Sequence, residues 1–382
     1  MGIEISNFGK DLNGNTVKLF NISNLNGMQA TVTNFGAVLV SLFVPNKNGK
    51  IDDVVLGFDT LEKYFNNDIC YFGSTVGRNS NRVKNASFML NSKTYNLDKN
   101  EREKNNLHSG FNPYNNRLWD YSIDEIANSV SFNLISPDMD QGFPGEFNIA
   151  VTYSLDNDNN LKINYTGTSN KDTIANMTNH SYFNLSGHNS GTAMEHELYI
   201  NADKYVEVDN ELIPTGELKD VSNTPMDFRI PTKIGARINE DFKQFEYTGG
   251  YDHSFVINKT NNGIEKIAVL SDKNSGRTME VYTDSIGVQF YAGNFIENNK
   301  VIGKENCSYK NRSGICLETG FLPDSMNQQN FVTPLLKAGD TYNTTTIYKF
   351  VQKMWNFVSH FLYLHYSCFY YMSLFVVVRT CY

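Results

Sequence analysis

Two short segments carry the residue types that move protons. Asn179-His180-Ser181-Tyr182-Phe183-Asn184-Leu185 supplies an imidazole, and Cys316-Leu317-Glu318-Thr319-Gly320-Phe321-Leu322-Pro323-Asp324-Ser325 supplies a carboxylate, each on a short strand-like stretch. Brought to one cleft, they make a general acid and a general base, the pair required by a reaction that puts a proton on one oxygen while taking another from its neighbour. Alternate side chains of a strand share a face, so His180, Tyr182 and Asn184 are expected to point one way while Phe183 and Leu185 point to the core; Glu318 lies opposite Leu317 by the same parity. Each strand then offers one ionisable group from a hydrophobically anchored backbone. A single strand histidine is more often structural and a single glutamate more often solvated, so the two segments alone leave both readings open.

Other segments supply polar groups suited to a hydroxylated ligand. Val76-Gly77-Arg78-Asn79-Ser80-Asn81-Arg82 is too basic and too rich in asparagine for a core strand. Arg82 can donate a planar fork of hydrogen bonds, and Asn81 can both donate and accept. Leu107-His108-Ser109-Gly110 sets a second histidine beside a flexible glycine, and Gly249-Gly250-Tyr251-Asp252-His253 presents a carboxylate after a glycine turn. Val288-Gln289-Phe290-Tyr291 puts an amide and a phenol on one face. The competing readings are a surface loop for Asn81 and Arg82, a loop-packing imidazole for His108 and an ordinary Asx turn for Asp252.

The chain has 382 residues, with 33 Lys and Arg against 41 Asp and Glu, a net charge of −8. These charges are dispersed rather than blocked, which argues against nucleic acid as a partner and leaves a small neutral molecule as the easier fit. Cysteines 70, 307, 316, 368 and 381 are few and without framework spacing, and the start of the chain shows no basic-then-apolar signal pattern. Reduced thiols and a cytoplasmic location are the expectation.

Residues 147–155 alternate cleanly, with Phe147, Ile149, Val151, Tyr153 and Leu155 on one side, and residues 161–166 repeat the pattern after Asp156-Asn157-Asp158-Asn159-Asn160. Asn and Asp tolerate left-handed backbone and bond their own chain, so this predicts a hairpin. Further strands are expected at 30–44, 54–58, 287–291 and 344–350, with Asn-Asn pairs punctuating the chain and no long helical stripe before residue 350. Short strands joined by polar turns predict an all-β fold, a large antiparallel β-sandwich, over residues 1–350.

Residues 351–382 differ in character. From 354 to 378 there is no Asp, Glu, Lys or Arg, and the length suits a membrane span. His360, His365 and several Tyr and Ser dilute the apolar run, so a docked or floppy extension and a gene-model error compete with an anchor. Membrane contact is expected only if this tail is a genuine anchor.

Taken in order, these motifs resemble the aldose 1-epimerase (galactose mutarotase) family. The likeness extends to Phe35-Gly36-Ala37, Val55-Leu56-Gly57-Phe58, Tyr71-Phe72-Gly73, Gly142-Phe143-Pro144-Gly145, Tyr205-Val206, Pro225-Met226-Asp227-Phe228, Tyr342-Asn343 and Lys349-Phe350, covering about residues 5–350. The resemblance implies a large antiparallel β-sandwich with an open sugar cleft, and conversion of α- into β-anomers of aldohexoses such as galactose and glucose. It implies Glu318 as general base and His180 as general acid, His108 assisting at the ring oxygen or holding the sugar, Asp252 and Arg82 binding hydroxyls, and Asn81 and Gln289 lining the pocket. No cofactor or metal is implied, and the protein is expected to be a monomer or dimer. Ser109 stands where glycine is usual and Gly320 where glutamine is frequent, which bears on the cleft rim and the sugar preference.

On this reading Glu318 takes the proton of the C1 hydroxyl while His180 protonates the ring oxygen, and the roles reverse after rotation about C1–C2. With ordinary pKa values of about 4.3 and 6.5, glutamate starts as the base, and a neighbouring carboxylate is expected to raise the histidine. A bell-shaped pH profile follows, its alkaline limb marking loss of the His180 proton. Three other activities share parts of the pattern. A glycosidase would pair Asp252 with Glu318, a hexose-6-phosphate 1-epimerase would add cations beyond Arg78 and Arg82, and a sugar-binding module would keep the cleft without the chemistry.

Overall fold

The computed structural model describes residues 1–67, 70–297 and 300–352. The apolar run 354–378, and with it any membrane contact, lies outside the described residues. The last strand, Thr341–Gln352, carries Val351 and Gln352 two positions past the expected boundary.

Strands dominate, and the only α-helices among the described residues are the short segments Leu61–Tyr64 and Lys243–Thr248. No helix among them is long and apolar enough to cross a membrane. The first 53 residues form a five-stranded antiparallel meander, Gly2–Lys10, Thr16–Ser23, Gln29–Thr33, Val38–Pro45 and Ile51–Asp53. A nine-stranded sheet runs through the middle of the molecule; its central members, Phe147–Leu155, Asn160–Ser169 and Thr341–Gln352, are neighbours in that order. A second five-stranded sheet, hereafter the cleft sheet, has the order Pro214–Asp220, Lys204–Val208, Asp252–Val256, Gly287–Tyr291, Cys316–Gly320. One apolar core joins all three, taking Phe20, Val32 and Leu42 from the first, Phe132, Val151, Tyr348 and Met279 from the second, and Phe255, Val288, Phe290 and Leu317 from the third. Sheets that bury one face against a shared core make a sandwich.

The predicted hairpin forms as the pattern requires. Phe147, Ile149, Val151, Tyr153 and Leu155 are all buried while Asn148 is exposed. The Asp156 carboxylate accepts from the amides of Asp158 and Asn160, each at 2.9 Å, and Asn159 adopts a φ of 62°. The candidate 30–44 divides into two strands because the chain turns at Gly36 and Ala37, both left-handed. A Cβ at Gly36 would run into the Asn115 backbone, so glycine is required there. Residues 54–58 are not a strand; Val55 makes an isolated bridge to Phe183.

Candidate functional site

The cleft sheet presents one face to the core and the other to an opening. In its register Asp252 pairs with Tyr291, Gln289 with Ser254 and Glu318, and Tyr291 with Cys316. Period-two alternation therefore lines up Asp252, Gln289, Tyr291, Cys316 and Glu318 on one face, with Phe255, Val288, Phe290 and Leu317 on the other. His180 arrives from outside this sheet, at the end of the strand Thr178–His180, which pairs with Ser74–Val76. Reciprocal bonds between Phe183 and Ile315, at 2.8 and 2.9 Å, hold its segment beside the Glu318 strand.

The resulting cleft, of about 310 Å³, gathers all seven residues expected from the sequence: Asn81, Arg82, His108, His180, Asp252, Gln289 and Glu318. His180 Nε2 lies 3.6 Å from Glu318 Oε1, and both side chains are more than 90% buried. The Tyr71 ring stacks on His180, with centroids 5.8 Å apart and planes inclined at 27°, and Tyr182 packs at 5.1 Å. His180 Nδ1 meets the Cys316 thiol at 3.5 Å.

Around this pair the polar groups hold one another in place. The Asn81 amide N–H donates to His108 Nδ1 at 3.2 Å, which leaves the other ring nitrogen of the neutral imidazole as the N–H donor. Arg82 Nε donates to both oxygens of Glu101, at 2.8 and 3.1 Å, so its terminal nitrogens remain for a ligand. Gln289 Nε2 donates to Asp252 Oδ1 at 2.6 Å, while Gln289 Oε1 is buried without a partner. A buried acceptor left unmade is costly, and in a cleft it is a place for an incoming hydroxyl.

Burial governs the titration of these groups. Loss of solvent pushes His180 down to about 4, and it pushes Glu318 well above the usual carboxylate range, with the nearby charge of Asp252 adding to the rise. The sequence reading expected Glu318 to raise His180; that direction is corrected, because removing water from a buried charge outweighs attraction across 3.6 Å. The Asp252 carboxyl is raised by burial, offset in part by Arg82 and Gln289. His108 is held well below its ordinary value by burial and by the charges of His180 and Arg82.

Three expectations need amendment. Asn184 does not face the cleft: the chain turns after His180, and the Asn184 amide is fully buried, donating to the carbonyls of Ser313 and Gly191 at 2.8 and 3.0 Å. Arg78 is not a rim cation. It is wholly buried, donating to the carbonyls of Pro144 and Gly145 and to the Ser136 hydroxyl. Its guanidinium also sits over the Phe147 ring at 5.3 Å. Third, the cleft wall includes Tyr71, quoted in a motif but not expected at the site, and residues outside the motifs: Cys70, Arg102, Leu212, Phe295 and Ile296. Most sit on turns, and their types are equally common in cores and on surfaces, so nothing in their spacing marked them.

The architecture is that of solved relatives. The GalM/aldose epimerase homologue from C. elegans superposes with a TM-score of 0.79 at 31% identity, covering 87% of this chain and 98% of that one, which makes the fold galactose mutarotase-like. Among characterised proteins, the galactose mutarotase of Mus musculus is 40% identical over 88% of this chain and 95% of its own length. The aldose 1-epimerase of Haemophilus influenzae is 40% identical over 88% and 96%. The profile of the aldose 1-epimerase family matches residues 18–349, and the chain belongs to that family.

Proposed function

We propose that this protein is an isomerase that interconverts the α- and β-anomers of free aldohexoses, galactose and glucose among them, with Glu318 and His180 as its acid–base pair. The observation that carries the reading is the 3.6 Å approach of His180 Nε2 to Glu318 Oε1 inside a cleft whose lining includes the hydroxyl-binding groups Asn81, Arg82, His108, Asp252 and Gln289. A pyranose seated there has its hydroxyl oxygen O1 and ring oxygen O5 both bonded to C1, within reach of both side chains. One group takes the proton from O1 as the C1–O5 bond breaks, and the other delivers a proton to O5, giving the open-chain aldehyde. Rotation about C1–C2 and the reverse transfers close the ring from the other face. Substrate hydroxyls fall to Arg82, Asp252, Asn81 and the unpartnered carbonyl of Gln289, and His108 donates its remaining N–H at or near the ring oxygen.

The two opposite shifts, His180 down and Glu318 up, favour a single proton on the pair, carried by the carboxyl. Transfer to the imidazole as the sugar's hydroxyls solvate Glu318 sets the base and the acid. A sugar-phosphate reading called for a cluster of cations beyond Arg78 and Arg82; Arg78 is buried away from the cleft, and the arginines lining it are Arg82, held through Nε by Glu101, and Arg102. A cytoplasmic site of action belongs to the same proposal.

Polarimetry on freshly dissolved α-D-galactose or α-D-glucose tests it. The protein should bring the rotation to equilibrium far faster than buffer, and His180→Asn and Glu318→Gln should each lower kcat by about 10²–10⁴-fold while KM changes little. A folded wild-type protein that leaves the rate at the buffer value overturns the reading in favour of a binding module.

A further inference from the structure

We propose that Cys316 is a positioning residue for His180: its sulfur accepts the Nδ1–H of the imidazole, which fixes the tautomer and leaves Nε2 as the nitrogen that exchanges a proton with Glu318 and the sugar. The two nitrogens of the ring face opposite partners, Nδ1 meeting the Cys316 sulfur at 3.5 Å and Nε2 meeting Glu318 Oε1 at 3.6 Å. Cys316 and Glu318 are two apart on the strand Cys316–Gly320 and so share a face. One strand therefore supplies both the group that holds the ring and the group that trades a proton with it. Tyr71 and Tyr182 pack on the ring and set its plane, and the sulfur sets which edge of it looks toward Glu318.

A neutral imidazole has one N–H, and the hydrogen bond made at one nitrogen decides the state of the other. Burial favours the proton of the pair on the Glu318 carboxyl, and a carboxyl O–H facing Nε2 requires a lone pair there. The ring proton then belongs on Nδ1, against the sulfur. Cys316 is wholly buried, and desolvation holds its thiol neutral, with the charges of Glu318 and Asp252 acting in the same direction. No thiolate is present to draw the ring proton away.

The choice of sulfur has a chemical consequence. A carboxylate beside Nδ1 would stabilise the imidazolium and blunt its acidity, whereas a thiol is a weak acceptor that orients the ring and leaves the cation poorly supported. The ring oxygen of a pyranose is a weak base, so an imidazolium that sheds its proton readily is the donor it needs. In the ring-opening step the carboxyl proton passes to Nε2, and the carboxylate so formed takes the proton of O1. Nε2 then gives its proton to O5 as the electron pair of the C1–O5 bond moves onto that oxygen, and the Nδ1 proton stays in place throughout. The effect on rate rests on the acid–base reading of the pair, while the tautomer stands on the positions of three side chains and is measurable without any activity.

Nitrogen NMR of the full-length protein labelled with ¹⁵N-histidine reads the tautomer directly, with the His180 signals assigned by their loss in His180→Asn. At neutral pH the wild type should show a protonated Nδ1 and an unprotonated Nε2 for this residue. Cys316→Ala should move both signals toward a mixture of tautomers, and Cys316→Ser, whose hydroxyl can accept the same bond, should keep the wild-type pattern. In the polarimetric assay Cys316→Ala should lower kcat about tenfold or more with KM within about twofold, and Cys316→Ser should recover most of that loss. A wild-type His180 with its proton on Nε2, an unaltered tautomer in Cys316→Ala, or an alanine variant with wild-type kcat overturns the proposal. Should Cys316→Ala not fold, the wild-type spectrum and the serine variant decide. If the wild type is inactive while its Nδ1–H tautomer is lost in the alanine variant, the positioning of the ring stands and it is the acid–base function of the pair that falls.

Discussion

At the residue scale, the proposed chemistry turns on a histidine and a glutamate whose environments drive their protons in the direction opposite to solution behaviour. A free imidazole would lose its proton near 6.5, yet burial holds His180 near 4 while Glu318 keeps its proton beyond the ordinary carboxylate range. The groups close enough to bias the pair are Asp252, which favours the protonated Glu318, Arg82, which opposes it, and His108, which lies 5.5 Å from His180 ring to ring. Coupled groups titrate as a unit, so the working form is the pair with one proton. Entry of a second proton sets the acid limb of kcat/KM, expected near pH 4 rather than 6.5, and loss of the shared proton sets the alkaline limb, expected above the range of an exposed glutamate. A pH series in the polarimetric assay checks this; an acid limb centred at 6.5 would mean that the cleft is wetter than its geometry indicates. The identities of these residues were legible in the sequence because each is a polar group inside an otherwise apolar or glycine-marked motif. Their pKa directions were not, because desolvation depends on Tyr71, Tyr182 and the walls around them.

At the scale of elements, the cleft rim is built from turns in which non-glycine residues adopt left-handed backbone. Tyr71, Asn81, His108 and Ser109 have φ of 56°, 63°, 51° and 74°. Ser109, at a position where glycine was expected, shows how such a turn is held: its hydroxyl donates to the Asn79 carbonyl at 2.9 Å and accepts from the Asn79 amide at 2.8 Å. The left-handed conformation costs an L-residue roughly 1–2 kcal/mol, and the two buried hydrogen bonds return about 1–3 kcal/mol. Ser109→Ala should therefore be the more harmful change, losing both bonds while keeping the strain, with a stability loss of about 1–3 kcal/mol. Ser109→Gly, which sheds the strain as well, should cost about 1 kcal/mol or less. Denaturant unfolding ranks the two, and KM should rise more in the alanine variant because His108 sits on the same turn. Gly320 tells a related story: a Cβ there would come 2.7 Å from Asn176 Oδ1, an oxygen already accepting from the Phe321 amide at 2.9 Å. Strands such as Phe147–Leu155 could be read from alternation because one face is dry and the other wet. These turns could not, since a left-handed serine leaves no mark in composition.

For the whole molecule, the sandwich was legible because short alternating segments separated by Asn- and Asp-rich turns admit few other packings, whereas the arrangement of the three large sheets around one core depends on long-range pairings such as Phe183 with Ile315. That dry interior has a consequence for stability. All five histidines among the described residues, His108, His180, His188, His196 and His253, are pushed below their ordinary pKa by burial. The unfolded chain takes up protons on them below about 6.5, whereas the folded chain does not until near 4 for His196. A group with a depressed folded pKa gives stability that is full above its unfolded pKa and is lost as pH falls toward the folded one. The raised carboxyls of Asp252, Asp284, Asp324 and Glu318 act in the opposite sense over part of that window, so one histidine is best isolated. His196 serves because it lies outside the cleft lining and its Nε2 accepts the Leu185 amide at 2.8 Å, a bond that protonation would break. The stability difference between wild type and His196→Gln, measured by denaturant unfolding, should be largest at pH 7 and shrink by about 1–2 kcal/mol on going to pH 5. A difference constant from pH 7 to 4 would mean that this imidazole titrates in the folded protein as it does in the unfolded one, and the dry interior inferred around it would have to be abandoned.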